Sequence, residues 1–309
     1  MKNNFGQVIY KTKEKMINSK IGLNIKDYIL TTPLCDLLYK AMHLFNLTDA
    51  SYANKTFSHL LADNNKYFME NADRVQNIIK NLQDDKSKQI YKQMIKYRCT
   101  FLKKDHPKFS LYDQYFPKDI VKLSNNEVFI DCGAYTGDTI SKFIKFTKGK
   151  YNKIVAFEPD MNNLKKLKEQ KFKNCIYINS AVYDKEGEAE FCHDNILASS
   201  SKLERTKNMP AYLERDFSKT KVVLKVIDNL EVCQDATFIK MDIEGAELNA
   251  LKGAEKIIRK NHPKLAICIY HSNEDMLNIA EWILSLKLNY RLYVRSHVGD
   301  HQETVLYAV

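Results

Sequence analysis

The chain has 309 residues, 44% of them hydrophobic, enough to bury one or two substantial cores. No window approaches the roughly 20 apolar residues of a membrane helix, and 1–15 carries lysines without an apolar run, so neither a membrane span nor a secretory signal is expected. The net charge of +10 sits almost wholly in 1–123 (+9, against +1 in 124–309), but no arginine cluster or aromatic ladder interleaves the lysines, so nucleic acid is not the expected partner.

Residues 1–24 show no strong period. From Asn24 to Asn46 the stripe Leu34, Leu37, Leu38, Ala41, Leu44 and Phe45 predicts a helix, with Thr32-Pro33 as a start signal. Further helices are predicted over Thr48–Asp63, Ala72–Asn81 and Ser87–Lys104, before His106-Pro107 breaks the pattern. The expected organisation is a mostly helical region over 1–81, a helical and aromatic lead-in over 82–123, and an α/β domain over 124–309. The aromatic segment Tyr112 to Phe116 either packs under a loop or folds over a pocket, which makes Tyr115 and Phe116 candidate substrate contacts.

From Asn126 strands and helices alternate. Strands are predicted over 128–132, 153–157, 174–178, 236–241, 265–270, 290–294 and 303–308, and helices over 137–146, 160–170, 246–259 and 274–286. That is a doubly wound sheet of seven strands. The connection Arg295 to Gln302 is too short for a helical crossover, so the last two strands form an antiparallel hairpin, the pattern of class I methyltransferases. An insertion over 182–228 holds two short strand-like runs, 188–192 and 221–227, around a serine-rich segment. The seven cysteines, at 35, 99, 132, 175, 192, 233 and 268, form no C-x-x-C pair, and several lie in apolar runs, which fits thiols kept reduced in the cytoplasm.

The chemistry concentrates at the carboxyl ends of the strands. Asp131 ends the first strand and is followed by Gly133 and Gly137, a strand–turn–helix that lets backbone approach a ligand. A carboxylate there suits the ammonium of S-adenosylmethionine. Glu158, 20 to 27 residues past the turn and closing the second strand, is placed to accept two ribose hydroxyls. A nicotinamide cofactor is disfavoured, because the turn is not G-x-G-x-x-G. Asp242, Glu244 and Glu247 crowd the end of the fourth strand, and one of them can act as general base. His271 at the end of the fifth strand is a candidate base or orienter, His297 lies in the final connection, and Glu303 starts the last strand. Asp242, Glu244 and His271 include metal-ligand types, but their spacing imposes no metal and none is expected.

Three runs together resemble the FkbM-type methyltransferases: Asp131-Cys132-Gly133-Ala134-Tyr135-Thr136-Gly137-Asp138-Thr139, Phe157-Glu158-Pro159-Asp160, and Lys240-Met241-Asp242-Ile243-Glu244-Gly245-Ala246-Glu247 with Leu251-Lys252-Gly253-Ala254. Tyr270-His271 and the ending from Glu303 to Ala308 add to the resemblance, which covers roughly 82–309. It implies a class I Rossmann-like fold, S-adenosylmethionine as methyl donor, and methylation of oxygen on sugars or natural-product scaffolds. Asp131, Gly133 and Gly137 would then hold the methionine end and Glu158 the ribose, with Ala134, Tyr135, Asp138, Thr139, Pro159 and Asp242 also at the cofactor. Asp242, Glu244 and His271 would serve the chemistry, and Tyr115, Phe116, Glu247 and His297 the acceptor, a small molecule or glycan. The rival readings are N-methylation of an amino-sugar or amino-acid-decorated glycan, and a noncatalytic cofactor-binding module.

Overall fold

A computed structural model describes residues 57–110, 112–194, 202–203, 217–298 and 302–309. The helix expected over Asn24–Asn46, and most of the serine-rich segment of the insertion, lie outside these residues. The described helices are α1 (Phe57–Glu70), α2 (Ala72–Asn81), α3 (Asp85–Thr100), α4 (Asp138–Phe146), α5 (Met161–Glu169), α6 (Glu247–Lys252), α7 (Glu255–Asn261) and α8 (Asn273–Ser285). The strands are β1 (Val128–Cys132), β2 (Lys153–Phe157), β3 (Cys175–Ile178), β4 (Ala181–Val182), β5 (Gly187–Asp194), β6 (Lys202–Leu203), β7 (Phe217–Lys225), β8 (Phe238–Met241), β9 (Lys264–Cys268), β10 (Leu292–Ser296) and β11 (Thr304–Ala308).

The chain divides into two compact units, and one boundary between them falls within α3. The first unit, in its described part, holds 57–72 and 93–106. Leu61, Tyr97 and Phe101 form its core, and Asn64 donates to the Arg98 carbonyl at 2.8 Å. The second unit holds 73–92 and 107–309, so most of α2 and the first half of α3 belong with the sheet. The reason is specific bonding: Arg74 makes a forked pair with Glu281 of α8 (2.8 and 2.6 Å), and the Tyr91 hydroxyl donates to the Met276 carbonyl.

In the second unit seven of the described strands form one sheet in the order β10-β11-β9-β8-β1-β2-β3. Pairings from β3 through β9 are parallel; β11 runs antiparallel to both β9 and β10, as the short final connection requires. All five residues of β1 are buried, as expected for a central strand covered on both faces. Phe129 of β1 stacks on Phe143 of α4 at 4.5 Å, with Phe116 and Phe238 packed edge-on at 5.7 Å. Phe116 is therefore core, which corrects its expected place at the acceptor.

Two local departures have clear causes. The helix expected over 246–259 is two, α6 and α7, because Asp228 accepts the amides of Lys256 and Ile257 and so caps a new start, while Gly253 lies against Tyr183, where a Cβ would fall 2.1 Å from the carbonyl oxygen. The insertion is a second sheet, β4-β7-β5-β6, rather than two short strands. Its long β5–β7 pairing places Glu190 opposite Lys221, and Lys219 reaches Glu190 at 2.8 Å.

Candidate active site

β1, β2 and β8 lie side by side, so their carboxyl ends deliver the glycine turn, Glu158 and Asp242 to one edge of the sheet. Between them opens a cleft, with about 980 Å³ of space that includes its open mouth. Gly133, Tyr135, Asp138 and Thr139 line it from the turn, and Phe157, Glu158 and Pro159 from the end of β2. Ser180, Ala181 and Val182 follow β3, and Asp242, Ile243 and Glu244 follow β8. Gly133 needs its φ of +79°, and a Cβ there would fall 2.0 Å from the Asp242 carbonyl oxygen. Four non-glycine lining residues also hold left-handed backbone: Tyr115 (+67°), Tyr135 (+49°), Glu244 (+59°) and Glu303 (+52°). Such strain persists only where the surroundings impose it, and it concentrates at functional sites.

Glu158 turns back onto the glycine turn. Its Oε2 accepts the Tyr135 amide at 2.8 Å and its Oε1 the Asp160 amide at 2.9 Å. Burial raises its pKa to about 7, with the two amide bonds pulling the other way. Asn179 braces this loop by donating to the carbonyls of Glu158 and Pro159. Beside it the Ser180 hydroxyl is buried, lines the cleft, and has no partner among the described residues.

Asp131 is placed differently from the expectation. It is fully buried behind the cleft wall, and Lys240, its register neighbour on β8, reaches its Oδ1 at 3.0 Å. The same ammonium donates to the carbonyls of Gly133 (2.7 Å) and Cys132 (3.2 Å) and sits over the Tyr115 ring. Lys240, not Asp131, meets the cleft. Burial alone would lower the lysine's pKa; the charges of Asp131 and Asp242 outweigh it and raise it. Burial also holds Asp131 up, at about 6. Ala134 and Gly137 are likewise packing positions: Ala134 is buried, and a Cβ on Gly137 would meet Phe172 at 2.7 Å.

At the β8 end, Asp242 gathers three groups. It accepts the Tyr115 hydroxyl at 2.8 Å and the Tyr270 hydroxyl at 3.2 Å, and meets His271 Nε2 at 3.2 Å. These contacts with Lys240 nearby outweigh burial and hold its carboxyl well below the usual range. Glu247 is buried, accepting the amides of Ile243 and Gly245 at 2.8 and 2.9 Å, so it shapes the loop rather than lining the cleft. His271 lies three residues past β9, its side chain almost fully covered, with Glu247 at 3.2 Å and Glu244 at 3.5 Å. Burial would lower its pKa, but Glu247 and Asp242 raise it well above the ordinary value. The neighbouring carboxylates thus favour its protonated form, which suits the orienting role of the two expected for it better than that of base. Asp242, Glu247 and His271 each offer a ligand atom within 4.8 Å of the others, a spacing open to a metal; here they satisfy one another as an ion network. His297 stands outside the cleft, bonded to the Tyr307 hydroxyl at 2.8 Å and the Tyr112 carbonyl at 3.1 Å. Burial lowers its pKa to about 4.

Lys240, Gln114 and Glu303 are among the lining residues that carried no expectation of cofactor or acceptor contact. A lysine inside the apolar strand Phe238-Ile239-Lys240-Met241 was a usable signal, since a buried ammonium demands a partner. Gln114 donates to Tyr115 at 2.9 Å and to Glu303. Burial and the Asp242 charge raise the Glu303 pKa.

The Methyltransferase FkbM domain model matches residues 131–292, more than half of the chain. The chain belongs to the FkbM methyltransferase family. The cofactor that goes with this membership is S-adenosylmethionine. A crystal structure of an FkbM methyltransferase from Methylobacillus flagellatus KT is similar, with 26% identity, a TM-score of 0.65, and 79% of this chain aligned to 60% of that one. The chain thus spans less than two thirds of that FkbM protein's length. An rRNA methylase from Streptococcus thermophilus (14% identity, TM-score 0.35, 60% and 86% of the two chains) is also matched. So is a precorrin-6y C5,15-methyltransferase from Geobacter metallireducens GS-15 (11% identity, TM-score 0.37, 61% and 82%). No curated protein matches the sequence.

Proposed function

We propose that the protein transfers the methyl group of S-adenosylmethionine to a hydroxyl of a sugar, glycan or natural-product scaffold. The observation that carries this is the charge of one cleft. Asp138, Glu158, Asp242, Glu244 and Glu303 line it against one cation among the described residues, Lys240, already paired with Asp131. That wall favours a cationic cofactor and a neutral acceptor, and it opposes phosphorylated or carboxylated acceptors. An amine acceptor, arriving as an ammonium, fits the same wall and is the second reading.

The residues fit the cofactor. Glu158 has lone pairs left for two ribose hydroxyls, and the orphaned Ser180 hydroxyl suits the polar edge of an adenine. Asp242 would face the positive charge, while Asp131 acts at one remove through Lys240. When bound, the cofactor supplies an electrophilic methyl on a sulfonium. The protein's part is alignment: the Gly133 approach, the Tyr115 and Tyr270 hydroxyls fixed on Asp242, and a wall that concentrates positive charge.

Glu158 gives a pH test. A folded pKa of about 7 against an ordinary value near 4.5 means that the ligand-free fold binds the proton more tightly than the unfolded chain does. Its contribution to stability therefore falls as pH rises from about 4.5 through 7. The ribose hydroxyls favour the carboxylate, so calorimetric cofactor affinity is expected to rise with pH through 7 and level off above it. Glu158→Gln should weaken binding at pH 8 by roughly 10- to 100-fold, the loss of a charged hydrogen bond, and flatten the pH dependence. Unchanged affinity would reject the ribose role.

We place the reaction in the cytoplasm. The cysteines recorded among the described residues are free thiols, with Cys132, Cys233 and Cys268 buried, and no described helix is long and apolar enough to cross a membrane.

A further inference from the structure

Methyl transfer to a hydroxyl releases a proton. We propose that Glu303 is the general base that takes it, an inference that rests on the methyl-transfer reading above. Strand order sets Glu158 on the β2 side of β1, and Asp242 and Glu244 on the β8 side, beside β9 and β11. Glu303, immediately before β11, joins that second group in the cleft wall.

The three carboxylates there are not equivalent. Asp242 already accepts two phenols and meets the His271 ring. Those bonds make it a poor proton acceptor. Glu244 lies against the other ring nitrogen of His271. Glu303 is held through one oxygen only, Oε2, by the Gln114 side chain; no described donor reaches Oε1. Its backbone is fixed as well: its carbonyl accepts the His297 amide at 3.1 Å and closes the hairpin, and its φ is +52°. Tyr115, next to the residue that holds it, has a φ of +67°. Two strained non-glycine residues from distant parts of the chain thus aim one carboxylate into the cleft.

The electrostatics agree with the geometry. Burial and the Asp242 charge favour the protonated form of Glu303; Gln114, and more weakly the cations Lys240 and His271, oppose it, and the balance raises its proton affinity. A base is most effective when its pKa approaches the working pH. In the step, the acceptor oxygen bonds to the methyl carbon and the sulfur–carbon electron pair returns to sulfur. The hydroxyl proton passes to Glu303 Oε1, so the charge lost from the sulfonium leaves as a proton. Glu303 retains partial exposure and can pass that proton on to water.

The test uses the full chain, Glu303→Gln and Glu303→Asp, tritiated S-adenosylmethionine, and as acceptor probe the glycan fraction from a strain lacking the gene. Glu303→Gln is expected to lower calorimetric cofactor affinity by no more than a few-fold, the loss of one of the five carboxylates of the wall, and to label the fraction roughly 10²- to 10⁴-fold more slowly. It should also lose the rise of rate with pH that wild type shows, and Glu303→Asp should restore part of that limb. Independently of turnover, carbon-13 NMR of ligand-free wild type, assigned by difference from Glu303→Gln, should show this carboxyl titrating above the roughly 4.3 of an ordinary glutamate. A Glu303→Gln rate within about 3-fold of wild type, or an intact pH limb, overturns the assignment. If that variant fails to fold, the titration, assigned by difference from Glu303→Asp instead, decides, and an ordinary or lowered value overturns it. If wild type itself binds the cofactor yet labels nothing, the methyl-transfer reading falls and this inference with it.

Discussion

Lys240→Met is expected to cost the fold about 3–5 kcal/mol at pH 7, measured by chemical denaturation, because it strands a buried carboxylate. Lys240 is 2% exposed and Asp131 fully buried, paired at 3.0 Å between the two central strands. Methionine keeps the stem's packing and removes only the charge and its donors. Asp131 then loses its ion pair, and the carbonyls of Cys132 and Gly133 lose a donor. The deficit should depend on pH in a definite sense. Asp131 already has a folded pKa of about 6 against 3.8, and losing Lys240 pushes it higher. The folded variant then holds a proton that the unfolded chain has released, so its stability falls as pH rises from about 4 through 6 and beyond. Measurement at pH 5 should recover part of the loss. Adding Asp131→Leu should recover more, since an apolar pair of similar volume is often neutral. A single variant as stable as wild type at pH 7 would show that the pair contributes nothing.

The glycine turn is also what this pair serves, and the sequence reveals only half of it. The run Val128 to Cys132, the two glycines, Glu158 at its distance downstream, and the acid-rich turn after β8 are local patterns, so the sheet and the cofactor face are legible. The short final connection likewise settles the closing hairpin. What is not legible depends on contacts distant in sequence. Gln114 and Glu303 meet across 189 residues, and nothing local marks either as a cleft residue. The state of His271 follows from Glu247 being turned inward to accept two amides, which a charged helix start does not reveal. Phe116 and Tyr115 are adjacent and alike in type; the strained backbone at Tyr115 sends one ring into the core and the other hydroxyl to Asp242. The break between α6 and α7 depends on an aspartate 28 residues before the amide it caps.

Asp242→Asn is expected to slow methyl transfer by roughly 10²- to 10³-fold, the effect of removing one preorganised electrostatic contact. The substitution keeps the side chain's shape but halves its acceptor capacity. Tyr115, Tyr270 and His271 all present donors to it, so an amide nitrogen must face one of them. His271 keeps Glu247 and Glu244, so the loop is expected to hold while the hydroxyl that donates to the lost oxygen is released. Calorimetric cofactor affinity should fall with the rate, because the anion facing the cofactor's positive charge is gone. The pH profile separates this residue from Glu303. Asp242 is one of the charges that raise the proton affinity of Glu303, so neutralising it should move the acid limb of the rate profile to lower pH without abolishing it. An abolished limb in Asp242→Asn would make Asp242 the base. A normal rate with an unshifted limb would remove it from the chemistry and leave it only as the anchor of Tyr115, Tyr270 and His271.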